Sequence, residues 1–138
     1  MNAREFVDTN IFIYAFDRSA GRKREAAAEL IQRLWAEHAG CVSLQVLQEF
    51  YVTATRKLTM PADDALLQVE RLGAWTLHRP TFEDVTGAIR MHRSRQISFW
   101  DALILRSASR LGCSVIWSED LADGQKWESV LVRNPFKG

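Results

Sequence analysis

Residues 4–16 read REFVDTNIFIYAF, and the order of those letters decides the fold. Arg4 to Val7 is a short β-capable run that stops at Asp8, and Asn10 is placed to cap a short apolar helix running through Phe16. Asp8 therefore sits just past a strand end. In an open parallel α/β sheet, the loops after the strands meet in a ligand-binding crevice.

Working outward, the same pattern repeats. From Arg22 to Ala39, Ala26, Leu30 and Leu34 alternate with Ala27, Ile31 and Trp35 at three- and four-residue steps, an amphipathic helix with Gly40 as its stop. Cys41 to Ser43 is a second buried strand. Ser43 caps a helix whose apolar face is Leu47, Tyr51, Ala54 and Leu58 and which breaks before Pro61. Pro61, Asp63 and Asp64 compose a helix first turn that continues from Ala65 to Leu72 and stops at Gly73, and Trp75 to Leu77 reads as a strand. Thr81 stands three before Asp84, and Ser98 three before Asp101. Both pairs predict capping-box starts, for helices from Phe82 to about Arg93 and from Phe99 to Leu111, the latter closed by Gly112. Cys113 to Trp117 is the clearest strand, and Val130 to Val132 is a last one before Pro135. The order β-α-α-β-α-α-β-α-α-β-β predicts an α/β sandwich, with a mostly parallel sheet between helices and right-handed crossovers.

A chain of 138 residues has room for one domain, residues 1–138. With 47% hydrophobic residues, 25% charged ones and only 3 prolines, disorder and collagen-like repeats are excluded. No apolar run approaches the roughly 20 residues that cross a bilayer, so no membrane role is expected. Arg4, Glu5 and Asp8 interrupt any secretory leader at the start. Cys41 and Cys113 each open an apolar segment and read as buried thiols, which suits a reducing, cytoplasmic compartment. The formal charge is +1, so any polyanion must be held by local patches.

Most acids here lie among polar residues, Glu83 and Asp84 among them, and read as solvated. Four lie against apolar sequence: Asp8, Glu49, Asp101 and Asp120. Each has a structural explanation when taken alone. Asp8 suits an Asx turn or a helix cap, Glu49 the boundary of an amphipathic helix, and Asp101 a capping box with Ser98. Asp120 shares its loop with Glu119 and Asp123, and the choice between Asp120 and Asp123 stays open. Together they are harder to dismiss. The topology brings strand-end and helix-start acids into one crevice, where four carboxylates repel unless a divalent cation neutralises them. An all-oxygen set suits Mg²⁺ or Mn²⁺ rather than zinc. His38, His78 and His92 are scattered and read as surface or boundary residues.

At these residues the sequence resembles the PIN-domain nucleases, and within them the VapC toxins of toxin–antitoxin pairs. The resemblance runs through VDTNIFIYAFD (7–17), QVLQEFY (45–51), ISFWDALILRSASRLGC (97–113), SEDLADGQ (118–125) and NPF (134–136). It implies a PIN-like three-layer α/β/α sandwich and metal-dependent hydrolysis of RNA. It also implies catalytic acids at Asp8, Glu49, Asp101 and Asp120, with Asp8, Asp101 and Asp120 on the metal and Thr9, Asn10 and Ser118 in support. Mg²⁺ is the implied cofactor, for which Mn²⁺ substitutes. The implied partners are single-stranded RNA, a small antitoxin and a second copy of the chain.

Phosphate contacts are expected from Arg90, Arg93 and Arg95, in a stretch that also holds Arg106 and Arg110. Among the tryptophans, Trp35 and Trp117 read as core, and Trp100, beside Asp101, as an interface or base contact. Two rivals are a PIN nuclease of RNA processing without an antitoxin, and a receiver-like regulatory module. The latter wants paired acids after the first strand, where Asp8 stands alone.

Overall fold

The structure is a computed structural model describing residues 3–137. Its elements are β1 (Glu5–Val7), α1 (Thr9–Phe16), α2 (Arg22–Glu37), β2 (Gly40–Ser43), α3 (Leu44–Arg56), α4 (Ala62–Leu72), β3 (Thr76–His78), α5 (Phe82–Arg95), α6 (Phe99–Arg110), β4 (Val115–Trp117), β5 (Lys126–Trp127) and β6 (Val130–Arg133). The six strands form one sheet in the order β3-β2-β1-β4-β6-β5, parallel except for β5.

The strand order fixes where a ligand belongs. From β1 the chain adds β2 and then β3 on one side, and then crosses to place β4 on the other, pairing Val7 with Trp117. Right-handed crossovers put α1 to α4 on one face and α5 with α6 on the opposite face, giving three layers. The switch point lies between β1 and β4, at their carboxyl ends. Phe6, Val7, Ile11, Phe12, Val42, Phe50, Leu105, Ile116 and Val132 are buried around the sheet. Cys41 and Cys113 are buried free thiols, as read. Among the described residues no helix is long and apolar enough to cross a membrane.

Several boundaries differ from the sequence reading for local reasons. Asp8, not Asn10, caps α1, since its carboxylate accepts the Thr9 N–H. His38 in a left-handed conformation ends α2, which leaves Gly40 to start β2. That glycine admits the Trp75 ring, which a Cβ would meet at 2.5 Å. Phe50 rather than Tyr51 faces the core from α3, and Tyr51 is exposed. Trp35 is also exposed, with its ring packed edge-on against Trp75 at 5.5 Å. Strand β5, two residues long, carries no periodic signal and went unread.

The largest correction concerns Asp84 and His78, which are buried. Thr81 and Asp84 close a reciprocal capping box at the start of α5. The same carboxylate takes Arg106 Nε at 3.0 Å and His78 Nε2 at 3.2 Å, with Arg110 Nε at 3.5 Å. His78 Nδ1 pairs with the buried Ser107 hydroxyl at 2.7 Å. Desolvation pushes Asp84 upward, but the Thr81 backbone, Arg106 and His78 outweigh it and hold its carboxyl below the usual range. Arg106 and Arg110 are thus committed to packing α5 on α6, and the basic stretch offers a polyanion fewer cations than its composition implied. Asp84→Ala is expected to destabilise the fold by about 3 kcal/mol, by uncapping α5 and unpairing Arg106. Urea unfolding at pH 7 checks this, and a loss under 1 kcal/mol would show the cluster to be dispensable.

Candidate functional site

At the carboxyl edge, Asp8 leaves β1 with extended backbone geometry, and its N–H continues the ladder to the Trp117 carbonyl at 2.9 Å. The carboxylate is buried and held from both sides. Oδ1 accepts from Thr9 N at 2.7 Å, and Oδ2 accepts from the Ser118 hydroxyl at 2.8 Å. Ser118 is positioned in turn by the backbone: its Oγ accepts from Asp120 N at 3.2 Å. Asn10 ties the two strand ends together. Its Nδ2 donates to Asp120 Oδ2 at 3.1 Å, and its Oδ1 accepts the Glu119 N–H at 3.2 Å.

Glu49 reaches the same space from α3. Ser43 caps that helix by accepting the Val46 N–H, placing Glu49 on its second turn. One Glu49 oxygen accepts from the Thr9 hydroxyl at 2.6 Å and the other from Gln45 Nε2 at 3.0 Å. Asp101 arrives from the opposite layer, on the first turn of α6. Ser98 accepts the Asp101 N–H at 3.0 Å, but only that half of a capping box is made, unlike the reciprocal pair at Thr81 and Asp84. The Asp101 carboxylate meets the Ser98 hydroxyl rather than the Ser98 backbone N–H.

The four acids feel one another. Burial pushes the Asp8 carboxyl up to about 6; the Ser118 and Thr9 bonds oppose the rise, and the charges of Glu49 and Asp120 add to it. Asp101 is raised by burial first, against the Ser98 hydroxyl, and then by Asp120 and Glu49. Among the described residues none of the four has an ion-pair partner, whereas Glu5, Asp84 and Glu119 are paired with Arg33, Arg106 and Lys23. A cleft of about 490 Å³ opens beside them, lined by Thr9, Asn10, Glu49, Thr53, Lys57 and Asp120 among others.

The donor chemistry fits a hard divalent cation: carboxylate and hydroxyl oxygens, with excess negative charge and, among the described residues, no ion pair to any of the four acids. Among the described residues no three His, Cys, Asp or Glu side chains close into a ready-made cage.

Glu49 and Asp120 thus line one cleft with Thr9 and Asn10; Asp8 is bonded to Thr9 and Ser118 beside it, and Asp101 is coupled to it through the charges of Glu49 and Asp120. Asp123 does not join them; its carboxylate accepts the Asn134 N–H at 2.8 Å. Arg90, Arg93 and Arg95 are exposed on α5 and do not line the acid cleft, and the Arg95 guanidinium lies 5.3 Å over the Trp127 ring. The sequence reading missed Gln45, a buried amide one turn before Glu49 whose i,i+4 spacing was the available signal. It also missed Lys57, which lies two turns after Glu49, and the clasp at Glu119, where Lys23 and Tyr14 both donate at 2.5 Å. That clasp connects sequence-distant groups and left no local trace.

The PIN-domain family model matches residues 6–122. Among solved structures, a toxin–antitoxin complex from Klebsiella pneumoniae is similar at a TM-score of 0.70 and 17% identity, over 96% of this chain and 98% of that one. VapC20 of Mycobacterium tuberculosis, a toxin that cleaves the sarcin–ricin loop, is similar at 0.64 and 22% identity, over 84% and 91%. DNA-bound VapBC from Salmonella typhimurium is similar at 0.65 and 18% identity, over 97% and 99%. At these identities the likeness is one of fold. No curated protein matches the chain in sequence.

The raised Asp8 carboxyl has a consequence for stability. Between the usual carboxylate value near 4 and about 6, the folded state keeps a proton that the unfolded chain releases, so stability falls as pH rises through that window. In chelator-treated buffer, Asp8→Asn is expected to be more stable than the parent at pH 7 by about 1–3 kcal/mol, and to lose most of that pH dependence. Denaturation at pH 4, 5, 6 and 7 checks this; a variant that is less stable at pH 7 would make Asp8 a structural cap first.

Proposed function

We propose, from the premise that the chain belongs to the PIN-domain family, that it is a metal-dependent endoribonuclease. We further propose that it works as a VapC-type toxin, a single PIN domain acting in the cytoplasm as a homodimer and silenced by a small antitoxin. One observation carries this reading: a buried Asp8 at the switch point, its carboxyl raised to about 6 by burial and by the charges of Glu49 and Asp120, has no ion-pair partner among the described residues. The VapC and VapBC neighbours support the toxin and the antitoxin, and VapC20 supports RNA as substrate.

In this reading Asp8, Asp101 and Asp120 hold Mg²⁺, or Mn²⁺ in its place. Such an ion supplies positive charge for the phosphoryl oxygens and lowers the pKa of an attacking water. Asp8 is the fixed member, since both of its oxygens are oriented by Ser118 and Thr9. Glu49 keeps its orientation through Thr9 and Gln45 and takes the proton of the water that attacks phosphorus in line. Asn10 holds Asp120 against the β1 end, so that the carboxylates of two strands act together. Arg90 and Arg93 contact RNA phosphates outside the cleft, as does Arg95 from its place over Trp127.

Purified protein, freed of any co-purifying antitoxin, is expected to cleave members of a mixed RNA panel with Mg²⁺ or Mn²⁺ and to stop on chelation. Asp8→Asn and Asp101→Asn abolish cleavage while remaining folded, and Ser118→Ala lowers metal affinity or activity about 10–100-fold. Cleavage that persists in both acid variants, or without metal, would refute the reading. In a thermal melt Mn²⁺ is expected to raise the parent's midpoint and leave that of Asp8→Asn in place.

A further inference from the structure

Trp100 stands beside Asp101 yet is 60% exposed. A core role would have buried it. Its indole is braced by the Phe99 ring at 5.0 Å and 73°. Its backbone carbonyl accepts from Gln45 Nε2 at 3.3 Å, the same nitrogen that donates to Glu49. Trp100 and Glu49 are thereby linked through one buried amide. The Oε1 of that amide has no hydrogen-bond partner, although Gln45 is only 6% exposed.

Around these groups lies a second cavity of about 390 Å³, lined by Gln45, Gln48, Glu49, Val52, Thr53 and Trp100. Glu49 and Thr53 also line the acid cleft, so Glu49 stands on the wall between the two. The chemistry differs on either side. The acid side is polar. The other side offers an indole and a valine for a flat apolar group, and the exposed Gln48 carboxamide for its polar edge.

We infer that this second cavity is a nucleobase subsite, taking the base of a nucleotide next to the scissile phosphate of single-stranded RNA, with Trp100 as its stacking surface. The inference rests on the nuclease reading, because that reading supplies the phosphate at the acids. A single-stranded substrate whose phosphate lies against Glu49 must direct a neighbouring base to one side of that residue, and an exposed indole is the surface on which bases stack. A base edge also bonds an amide such as that of the exposed Gln48, where a purely apolar partner would leave it unmet. Stacking tolerates every base, so the subsite adds affinity first, and the Gln48 amide biases it toward particular base edges.

The test measures binding apart from cleavage. The probes are labelled 2′-O-methyl hexanucleotides of each base, titrated into the parent protein, Trp100→Ala and Trp100→Phe in Ca²⁺, with anisotropy as the readout. Trp100→Ala is expected to weaken binding about 5- to 100-fold, and Trp100→Phe to recover most of it. An abasic nucleotide at one position of the strand is expected to abolish the difference between the parent and Trp100→Ala. Equal affinities for the parent and Trp100→Ala would overturn the subsite, and metal-dependent cleavage of unmodified RNA in the same preparation would leave the nuclease reading intact. Conversely, binding that depends on Trp100 without cleavage in any divalent metal would support the base pocket and refute the nuclease reading. Unchanged affinity with a dimer converted to a monomer would assign the indole to an interface between copies and overturn the proposal.

Discussion

The buried carboxylate of Asp8 is the constraint around which the rest of the crevice is arranged. Its backbone is fixed by the β1–β4 ladder through the Trp117 carbonyl, which holds the side chain at the carboxyl end of the central strands. Removing a carboxylate from water costs several kcal/mol. Thr9 N–H and the Ser118 hydroxyl offset only part of that, as the raised carboxyl shows. Nearby, Asn10 and Thr9 point their remaining polar atoms at Asp120 and Glu49. These bonds orient further negative charge toward a space that already has too much of it.

Asp84 makes the comparison within the same molecule. It too is buried, at the start of a helix, and it too is desolvated, yet its carboxyl lies below the ordinary range because Thr81, Arg106 and His78 converge on it. There the protein supplies its own counter-charge, and the result joins α5 to α6. At Asp8 it supplies hydrogen bonds and, among the described residues, no ion pair. Two buried aspartates of opposite electrostatic outcome separate an ion pair that serves packing from a carboxylate poised for an external ion, a distinction that burial alone does not make.

The architecture was legible because its signals are local. Strand, carboxylate and helix follow one another within residues 4–16, and the helices announce themselves through three- and four-residue spacing and through Ser43, Thr81 and Ser98 as caps. The four acids were legible as carboxylates against apolar sequence, and the parallel order of β2, β1 and β4 then gathered them at one edge. What escaped has non-local causes. Asp84 looks solvated in EDVTG, since its partners Arg106 and Arg110 lie 22 and 26 residues away on another helix. Tyr51 and Phe50 are neighbours of similar character, and only the packing of Phe50 against Phe12 and Phe16 decides which is inside. Asp120 and Asp123 were separable only once Asn10 and Asn134 had chosen between them.

The distribution of cations bears on how a polyanion is held here. With a formal charge of +1 and a cluster of acids at the candidate site, the protein's own field at that site repels phosphate. Arg33, Arg106 and Lys23 are engaged with Glu5, Asp84 and Glu119, which takes three of the 18 Lys and Arg side chains out of play. The exposed cations on α5, and Lys57 at the rim of the acid cleft, then act at a distance from the reacting phosphate. A divalent ion held by Asp8, Asp101 and Asp120 would therefore relieve much of that repulsion as well as activate water, and substrate and metal would bind cooperatively. Contacts that do not depend on charge, such as a base on an exposed indole, would carry a larger share of affinity than in a strongly basic nuclease. They would be the part least weakened by salt.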